Sequence, residues 1–357
     1  MSFTIGENIK MTVSGASHSE SIDVTVENLP AGTDIDMDEI LAFLKRRQGG
    51  NASYTTARKE KDEPIISGGM ADGKLTGEPL VAKFVNANAR SGDYGKMRTV
   101  PRPSHADYVA YVKYKGQLDM AGGGFFSGRM TLPMCFAGAV CLQILRQRGI
   151  EVRAHIRSVG GIEDEPFDAV SDSPDTLADH VLPVVSSASG DRMTELMEKT
   201  SREGDSVGGC IECKVTGIPA GYGDPIYTSV ESVISYGMFG IPAIKGIEFG
   251  EGFAVASDFG SKSNDSFCIR GGEVKCVTNN SGGIQGGITN GMPIIFRVAV
   301  KPTPSIYKAQ RSVDLETMEE CELVIEGRHD SCIVPRVVPC VEAMTALMLV
   351  DIISQQD

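Results

Sequence analysis

A glycine-rich stretch that runs directly into an apolar strand is the strongest constraint on how this chain can fold. It covers residues 279–305 and reads NNSGGIQGGITNGMPIIFRVAVKPTPS. Glycine lets the backbone adopt positive φ and approach a ligand closely, and amides left unpaired by such a turn can donate to an anion. The β-branched run Ile294–Val300 predicts a buried strand, and the prolines after it predict a stiff loop carrying Lys301, Thr303 and Ser305. The stretch is typical of a loop that holds a phosphorylated cofactor, but a glycine-rich hairpin without a ligand is an equally good interpretation of the spacing.

The composition is that of an ordinary globular protein with an acidic surface. The chain has 357 residues, 41% hydrophobic and 23% charged, and a formal net charge of -13. Such a surface disfavours nucleic acid and anionic membranes as partners. An anionic substrate therefore requires a local basic cluster, and residues 45–61 contain one: Lys45, Arg46, Arg47, Arg58, Lys59 and Lys61. On charge alone, this cluster is equally well explained as a solvated basic loop.

Cysteine usage indicates a reducing, cytoplasmic location. The nine cysteines are odd in number and show no framework spacing. Cys210 and Cys213 form an isolated C-x-x-C in a predicted strand, where positions three apart face opposite sides, so we predict no metal site. The N-terminal residues have no apolar signal core. The C-terminal apolar run is interrupted by Glu342 and Asp351, so we predict no membrane span.

Short predicted strands alternate irregularly with long predicted helices. Acidic residues at the start and basic residues at the end of residues 36–47 predict a helix, and apolar spacing predicts others within 129–145 and 337–353. The region 161–202 is polar and weakly patterned, and we expect it to be peripheral. Without regular βαβ alternation, the pattern favours an α+β fold over a doubly wound sheet.

Three short motifs contain a histidine, and two of these residues, His18 and His105, are candidates for chemistry. His18 lies in the turn at residues 15–19, and residues 327–330 place Arg328, His329 and Asp330 in succession. In residues 101–107, Ser104 and Asp107 form a capping-box pattern. His105 would then lie in the first helical turn, where the positive helix end favours a neutral imidazole beside an anion. A capping or packing histidine is the alternative there.

Taken together, these motifs resemble those of the chorismate synthase family. The matching segments span nearly the whole chain in the right order, namely residues 15–19, 102–107, 204–209, 279–287, 301–305 and 327–330. The resemblance implies a single domain over residues 1–357, a β-α-β sandwich with helices between antiparallel sheets, usually assembled as a homotetramer. It implies elimination of phosphate from 5-enolpyruvylshikimate 3-phosphate to give chorismate. That reaction requires reduced FMN although it involves no net redox change, and NADPH is a possible reductant of the flavin.

The resemblance also implies roles for individual residues. His18 would donate a proton to the departing phosphate, His105 would set the protonation of the reduced flavin, and Asp330 would relay a proton with flavin N5. Expected FMN contacts are Ser127, Pro242, Ala243, Gly286, Lys301, Pro302, Thr303, Pro304, Ser305 and Arg328. Expected contacts to the anionic substrate or nucleotide are Arg47, Arg58, Arg129 and Arg336.

The chain departs from the family pattern at three expected basic positions. Ser53, Phe125 and Met134 stand there, and each lost cation could contribute about 1.5–3 kcal/mol as a charge-assisted hydrogen bond. Either neighbouring Lys45, Lys59 and Arg102 compensate, or the chain is a paralogue that binds flavin or a phosphorylated acid with weak or no turnover. A nicotinamide-linked dehydrogenase is disfavoured, because no G-x-G-x-x-G lies between a predicted strand and helix.

Overall fold

Two five-stranded antiparallel sheets form the outer layers of the protein. The structure is a computed structural model that describes residues 1–50, 54–55, 61–86, 99–118, 120–325, 327 and 329–356. The first sheet has the order β1 (Ser2–Ile5), β2 (Lys10–Gly15), β3 (Ser21–Glu27), β7 (Leu80–Val85), β4 (Ile65–Gly68). The second has the order β11 (Ile244–Phe249), β16 (Ile294–Val300), β10 (Gly209–Thr216), β8 (Glu151–Val159), β9 (Ile162–Glu163).

The remaining strands form two-stranded hairpins, and the helices lie between or beside the large sheets. The hairpins are β5 (Met70–Ala71) with β6 (Lys74–Leu75), β12 (Phe267–Arg270) with β13 (Glu273–Cys276), β14 (Ile284–Gln285) with β15 (Ile288–Thr289), and β17 (Gln310–Asp314) with β18 (Glu319–Leu323). The helices are α1 (Met37–Arg47), α2 (Asp107–Lys113), α3 (Thr131–Gln147), α4 (Ser187–Arg202), α5 (Val230–Phe239), α6 (Gly260–Ser263) and α7 (Val334–Ile353).

Helices α3 and α7 form the middle layer. They pack on each other, α3 also packs on β2 and β3, and α7 packs on β8 and β10. Both are buried on nearly all sides, as a helix between two sheets must be. This arrangement confirms the predicted α+β sandwich. Residues Gly128–Gln147 are long and apolar enough to cross a membrane, but 83% of that window is buried inside the protein, as in a core helix.

The two acidic residues that interrupt the apolar run of α7 are both satisfied by specific partners. The Asp351 carboxylate accepts backbone N–H groups of Asn8 at 2.7 Å and Ile9 at 2.8 Å, which fixes the β1–β2 turn. Glu342 forms a salt bridge with Arg46 at 2.6 Å. Buried carboxylates are tolerated when they are hydrogen-bonded in this way.

A buried histidine links the second sheet to the region 161–202. His155 of β8 lies opposite Glu212 of β10 in the strand register; its Nε2 is 3.1 Å from Glu212 and its Nδ1 is 3.2 Å from Asp164. Burial lowers the pKa of His155, but hydrogen bonds to the two carboxylates outweigh it and raise the pKa above its usual value. Asp164 in turn accepts the N–H groups of Val185 and Ser186. The region 161–202 is thus tied into the core, and the expectation that it is peripheral is wrong.

Candidate active site

The predicted catalytic residues meet in one cavity of about 720 Å³. Its walls come from the β2–β3 turn, the loop before α2, the start of α3, the loop before β11, the loop after β16 and the start of α7. His18, His105 and Asp330 all line it. Three residues separated by up to 312 positions in the chain are therefore neighbours of one space large enough for a small ligand.

His18 is held in the β2–β3 turn by a run of glycines. The backbone N–H of Ser17 donates to the carbonyl of Gly124 at 3.1 Å, which fixes the turn. The His18 ring packs directly on the α-carbon of Gly122, where a Cβ would lie 1.9 Å from His18 Cε1. Gly122 also has a φ of +62°, so both the backbone and the histidine require glycine at this position.

His105 precedes α2 instead of lying in its first turn. The helix begins at Asp107, and no side chain caps it. The Asp107 carboxylate binds Arg102 through two oxygens, at 2.7 and 2.8 Å, and contacts His105 Nδ1 at 2.6 Å. The predicted capping box is therefore wrong, because charge-assisted bonds to a guanidinium and an imidazole are stronger than a helix cap.

The same contacts set the orientation of His105. Burial raises the pKa of Asp107, but hydrogen bonds from Arg102 and His105 outweigh it and hold the pKa well below the usual range. The ionised carboxylate only accepts hydrogen bonds, so the 2.6 Å contact favours a proton on Nδ1, which also lies 3.0 Å from Arg102 Nη2. Nε2 then points towards Gly123, where a Cβ would lie 3.7 Å from it. The Asp107 contact thus leaves Nε2 as the nitrogen that faces the cavity.

Asp330 is positioned by a neighbouring cation on α7. Arg336 Nη1 donates to Asp330 at 2.6 Å, while its Nε donates to the carbonyl of Arg47 at 2.8 Å. Both side chains are largely buried. Because Arg336 is held at two points, the Asp330 carboxylate has a fixed place on the cavity wall.

The cavity collects positive charge within an acidic protein. Its lining cations are Arg47, Arg102, Arg129, Lys301 and Arg336, against the lining carboxylates Asp62 and Asp330. Asp62 is buried between Arg47, at 2.9 Å, and Arg129. Such a shared carboxylate fixes two guanidiniums in place and leaves their combined charge positive, which suits an anionic ligand. Of the predicted basic cluster, Arg47 lines this cavity, whereas Lys45 and Arg46 line a different depression.

Most of the predicted cofactor residues also line the cavity, and some do not. Those present are Ser127, Pro242, Ala243, Lys301, Thr303, Pro304 and Ser305. Gly286 lies in the exposed turn between β14 and β15, and Pro302 is exposed, so neither reaches this space. Arg58, Lys59, Arg328 and the departure at Ser53 lie outside the described residues.

The other departures from the family pattern fall in different environments. Phe125 and Phe126 line the cavity, whereas Met134 packs against the core. Arg102 lines the cavity and can supply a cation, but Lys45 lines a different depression. Among the described residues no cluster of three or more His, Cys, Asp or Glu that could hold a metal is present.

Sequence reasoning missed several lining residues. Asp62 gave no signal, since a single aspartate in a polar loop is common, and its role appears only when two arginines approach it. His329 and Cys340 also line the cavity. His329 was within the motif at residues 327–330, and it could have been singled out as a third candidate imidazole.

A two-sheet α+β fold around a cation-lined cavity with two histidines and a carboxylate is typical of an enzyme that acts on an anionic small molecule by proton transfer. The family model described as "Chorismate synthase" matches residues 9–353. Chorismate synthases of Lancefieldella parvula and Thermococcus gammatolerans are 43% and 44% identical, over 98% and 97% of this chain and 96% of each relative. A crystal structure of chorismate synthase superposes with a TM-score of 0.78 at 28% identity, covering 99% of this chain and 93% of the other.

The chain belongs to the chorismate synthase family. Its function is that of a phosphate lyase of the shikimate pathway, which forms chorismate for aromatic amino acid biosynthesis. The alternative of a binding paralogue without turnover is not favoured, because the match covers nearly the whole chain.

Proposed function

We propose that this cavity eliminates phosphate from 5-enolpyruvylshikimate 3-phosphate, with His18, His105 and Asp330 as its catalytic residues. The observation that carries the proposal is their convergence in one cation-lined space. Two of the three are oriented by a second ionised group, His105 by Asp107 and Asp330 by Arg336. Such paired arrangements are typical of groups that transfer protons.

Departure of phosphate is assisted by charge and by a proton. Arg47 and Arg129, held apart by Asp62, present their positive charge to the ligand space, and Arg336 adds a third guanidinium. Cations aimed at a group that gains negative charge in the transition state lower the barrier. His18 supplies the proton that the leaving phosphate accepts, and its place against Gly122 holds the ring still during that transfer.

The residues present fit a bound flavin mononucleotide. Thr303 Oγ1 lines the cavity and, among the described residues, is buried without a hydrogen-bond partner; such an atom commonly indicates a missing ligand. Ala243 has a φ of +75° on the cavity wall, a strained backbone that tends to occur at ligand sites. We propose that Ser127, Ala243, Lys301, Thr303 and Ser305 hold the cofactor, with the backbone of Pro242 beside them.

Reduced FMN, when bound, supplies the electron-rich ring that allows the elimination to proceed without net redox change. His105 would face the cofactor space through Nε2, with its Nδ1 held by Asp107. Asp330 would move the proton that leaves C6 of the substrate, and its bond to Arg336 fixes the carboxylate in position for that transfer.

The experiment is an anaerobic assay of the full chain with 5-enolpyruvylshikimate 3-phosphate and dithionite-reduced FMN, measuring phosphate release and chorismate formation. We expect stoichiometric formation of both products. Absence of phosphate release while reduced FMN is bound would contradict the proposal. A parallel assay with NADPH replacing dithionite tests the reductant, and turnover there would assign flavin reduction to this chain.

We further propose that the chain works as a cytoplasmic homotetramer. Supporting this, large apolar side chains are exposed on residues 253–274, among them Phe253 at 84%, Phe259 at 74% and Ile269 at 73%. Exposed apolar surface of this kind marks contacts between chains. Light scattering on the 38.1 kDa chain should give four times the monomer mass, and a monomer mass across the working concentration range would contradict the assembly.

A further inference from the structure

Two buried thiols face each other at the floor of the cavity. Cys135 of α3 and Cys340 of α7 have their sulfur atoms 3.6 Å apart. Cys340 lines the cavity next to Arg336 and Val337, whereas Cys135 is completely buried behind it. Cys340 thus borders space that a small molecule can enter, and Cys135 lies next to Cys340.

The backbones around the pair are close enough for a covalent link. One helical turn further along both helices, a Cβ on Gly138 would lie 2.3 Å from the Cβ of Ala343. The two helices therefore pack with almost no side chain between them at this point. Such close packing is what a disulfide needs, since its α-carbons must lie within about 7 Å of each other. The sulfur atoms, 3.6 Å apart, must approach to about 2.05 Å to form the bond.

The electrostatic surroundings make the two thiols chemically unequal. The hydrogen bond from Cys135 lowers the pKa of Cys340 despite its burial, and the charges of Arg47 and Arg336 lower it further. Burial raises the pKa of Cys135 well above its usual value. A pKa one unit lower gives roughly tenfold more thiolate at neutral pH, and the thiolate is the reactive form.

We propose that Cys340 and Cys135 form a peroxide-oxidisable pair, with Cys340 as the thiol that is attacked and Cys135 as the resolving thiol. The Cys340 thiolate displaces hydroxide from hydrogen peroxide: an S–O bond forms, the O–O bond breaks, and the sulfur becomes a sulfenic acid. The Cys135 sulfur then attacks that sulfur, forming the disulfide and releasing water. Overall, two thiols and one peroxide give one disulfide and two waters.

The test is treatment of the anaerobically purified full chain with equimolar hydrogen peroxide, alkylation of the remaining thiols, and non-reducing peptide mapping by mass spectrometry. We expect a Cys135–Cys340 linked peptide, lighter by two hydrogens, to be the first oxidised product. Cys340 should oxidise roughly tenfold or more faster than Cys141, a buried thiol on α3 whose pKa burial raises to about 12. Reduced Cys340 after oxidation of the partly exposed Cys268 or Cys321 would overturn the proposal.

Variants separate the two roles. In Cys135→Ser, a sulfenic acid should accumulate at Cys340 and be trapped by dimedone; in Cys340→Ser, Cys135 should stay reduced. Cys141→Ser is the matched control and should leave the link unchanged. Oxidation of wild-type Cys340 to sulfinic acid without a link to Cys135 would overturn the resolving role. The wild-type mapping decides the proposal even if a variant folds poorly.

Discussion

The contact between Gly122 and His18 allows a sharp test of whether the position of this imidazole matters. Gly122 and Gly123 are adjacent, and both have positive φ, +62° and +86°. An alanine at either position incurs a left-handed backbone cost of roughly 1–2 kcal/mol. The two positions differ in what the added methyl group meets, so Gly123→Ala is a matched control for Gly122→Ala.

At Gly122, the methyl carbon would lie 1.9 Å from His18 Cε1 and 2.1 Å from Nδ1, and such contacts essentially never fall below 3.0 Å. The ring must therefore retreat by about 1.1 Å. At Gly123 the nearest atoms are 3.5 Å away in Ser127 and 3.7 Å away in His105, which are ordinary contacts. Displacement of a reacting group by 1 Å can cost about 10²-fold in rate.

We therefore expect Gly122→Ala to lower kcat by about 10²-fold and Gly123→Ala to lower it much less, while both variants lose similar thermal stability. The assay is steady-state phosphate release under anaerobic conditions with saturating reduced FMN, together with thermal melting of each variant. Equal kcat values in the two variants would refute the reasoning that His18 acts from its observed position.

Three further substitutions test other parts of the structure. Asp107→Asn removes the charge that holds His105, and kcat should fall by up to about 10²-fold with a smaller change in KM; an unchanged kcat would remove Asp107 from the positioning role. His155→Gln should reduce the free energy of urea unfolding by about 3–5 kcal/mol below pH 6.5. Because the folded-state pKa of His155 is raised, the wild-type advantage should shrink as pH rises through that pKa. A pH-independent difference would contradict the raised pKa of His155. Asp351→Ala should cost about 1–3 kcal/mol by leaving buried N–H groups unpaired; equal unfolding midpoints would contradict this.

The sequence predicted elements well where a periodic pattern coincided with burial. The strand Ile294–Val300 has the predicted bounds, and helix α1 begins one residue after its predicted start, with Asp36 as its cap. These elements are decided by local residue order, which a sequence shows directly. The capping box predicted at Ser104 is wrong because Asp107 binds Arg102 instead, and this ion pair is stronger than a helix cap.

The sequence predicted most of the residues that line the site, but few of the hydrogen bonds and ion pairs that hold them in place. The family resemblance placed His18, His105 and Asp330 in one site, and all three line one cavity. Asp62 lies between two arginines that are 15 and 67 residues away in the chain. No local sequence pattern predicts this contact. Gly286 was expected to contact the same ligand, and it is not among the residues that line the cavity; the place of a hairpin turn in the fold is a tertiary property.

His18 is proposed to deliver a proton to the departing phosphate from this cavity. The turnover rate of the His18→Ala variant is the direct test of that role. With reduced FMN bound and substrate saturating under anaerobic conditions, the account predicts that kcat falls by roughly 10²–10⁴-fold, the usual contribution of a positioned acid. A decrease of less than about threefold, far below that range, would contradict it.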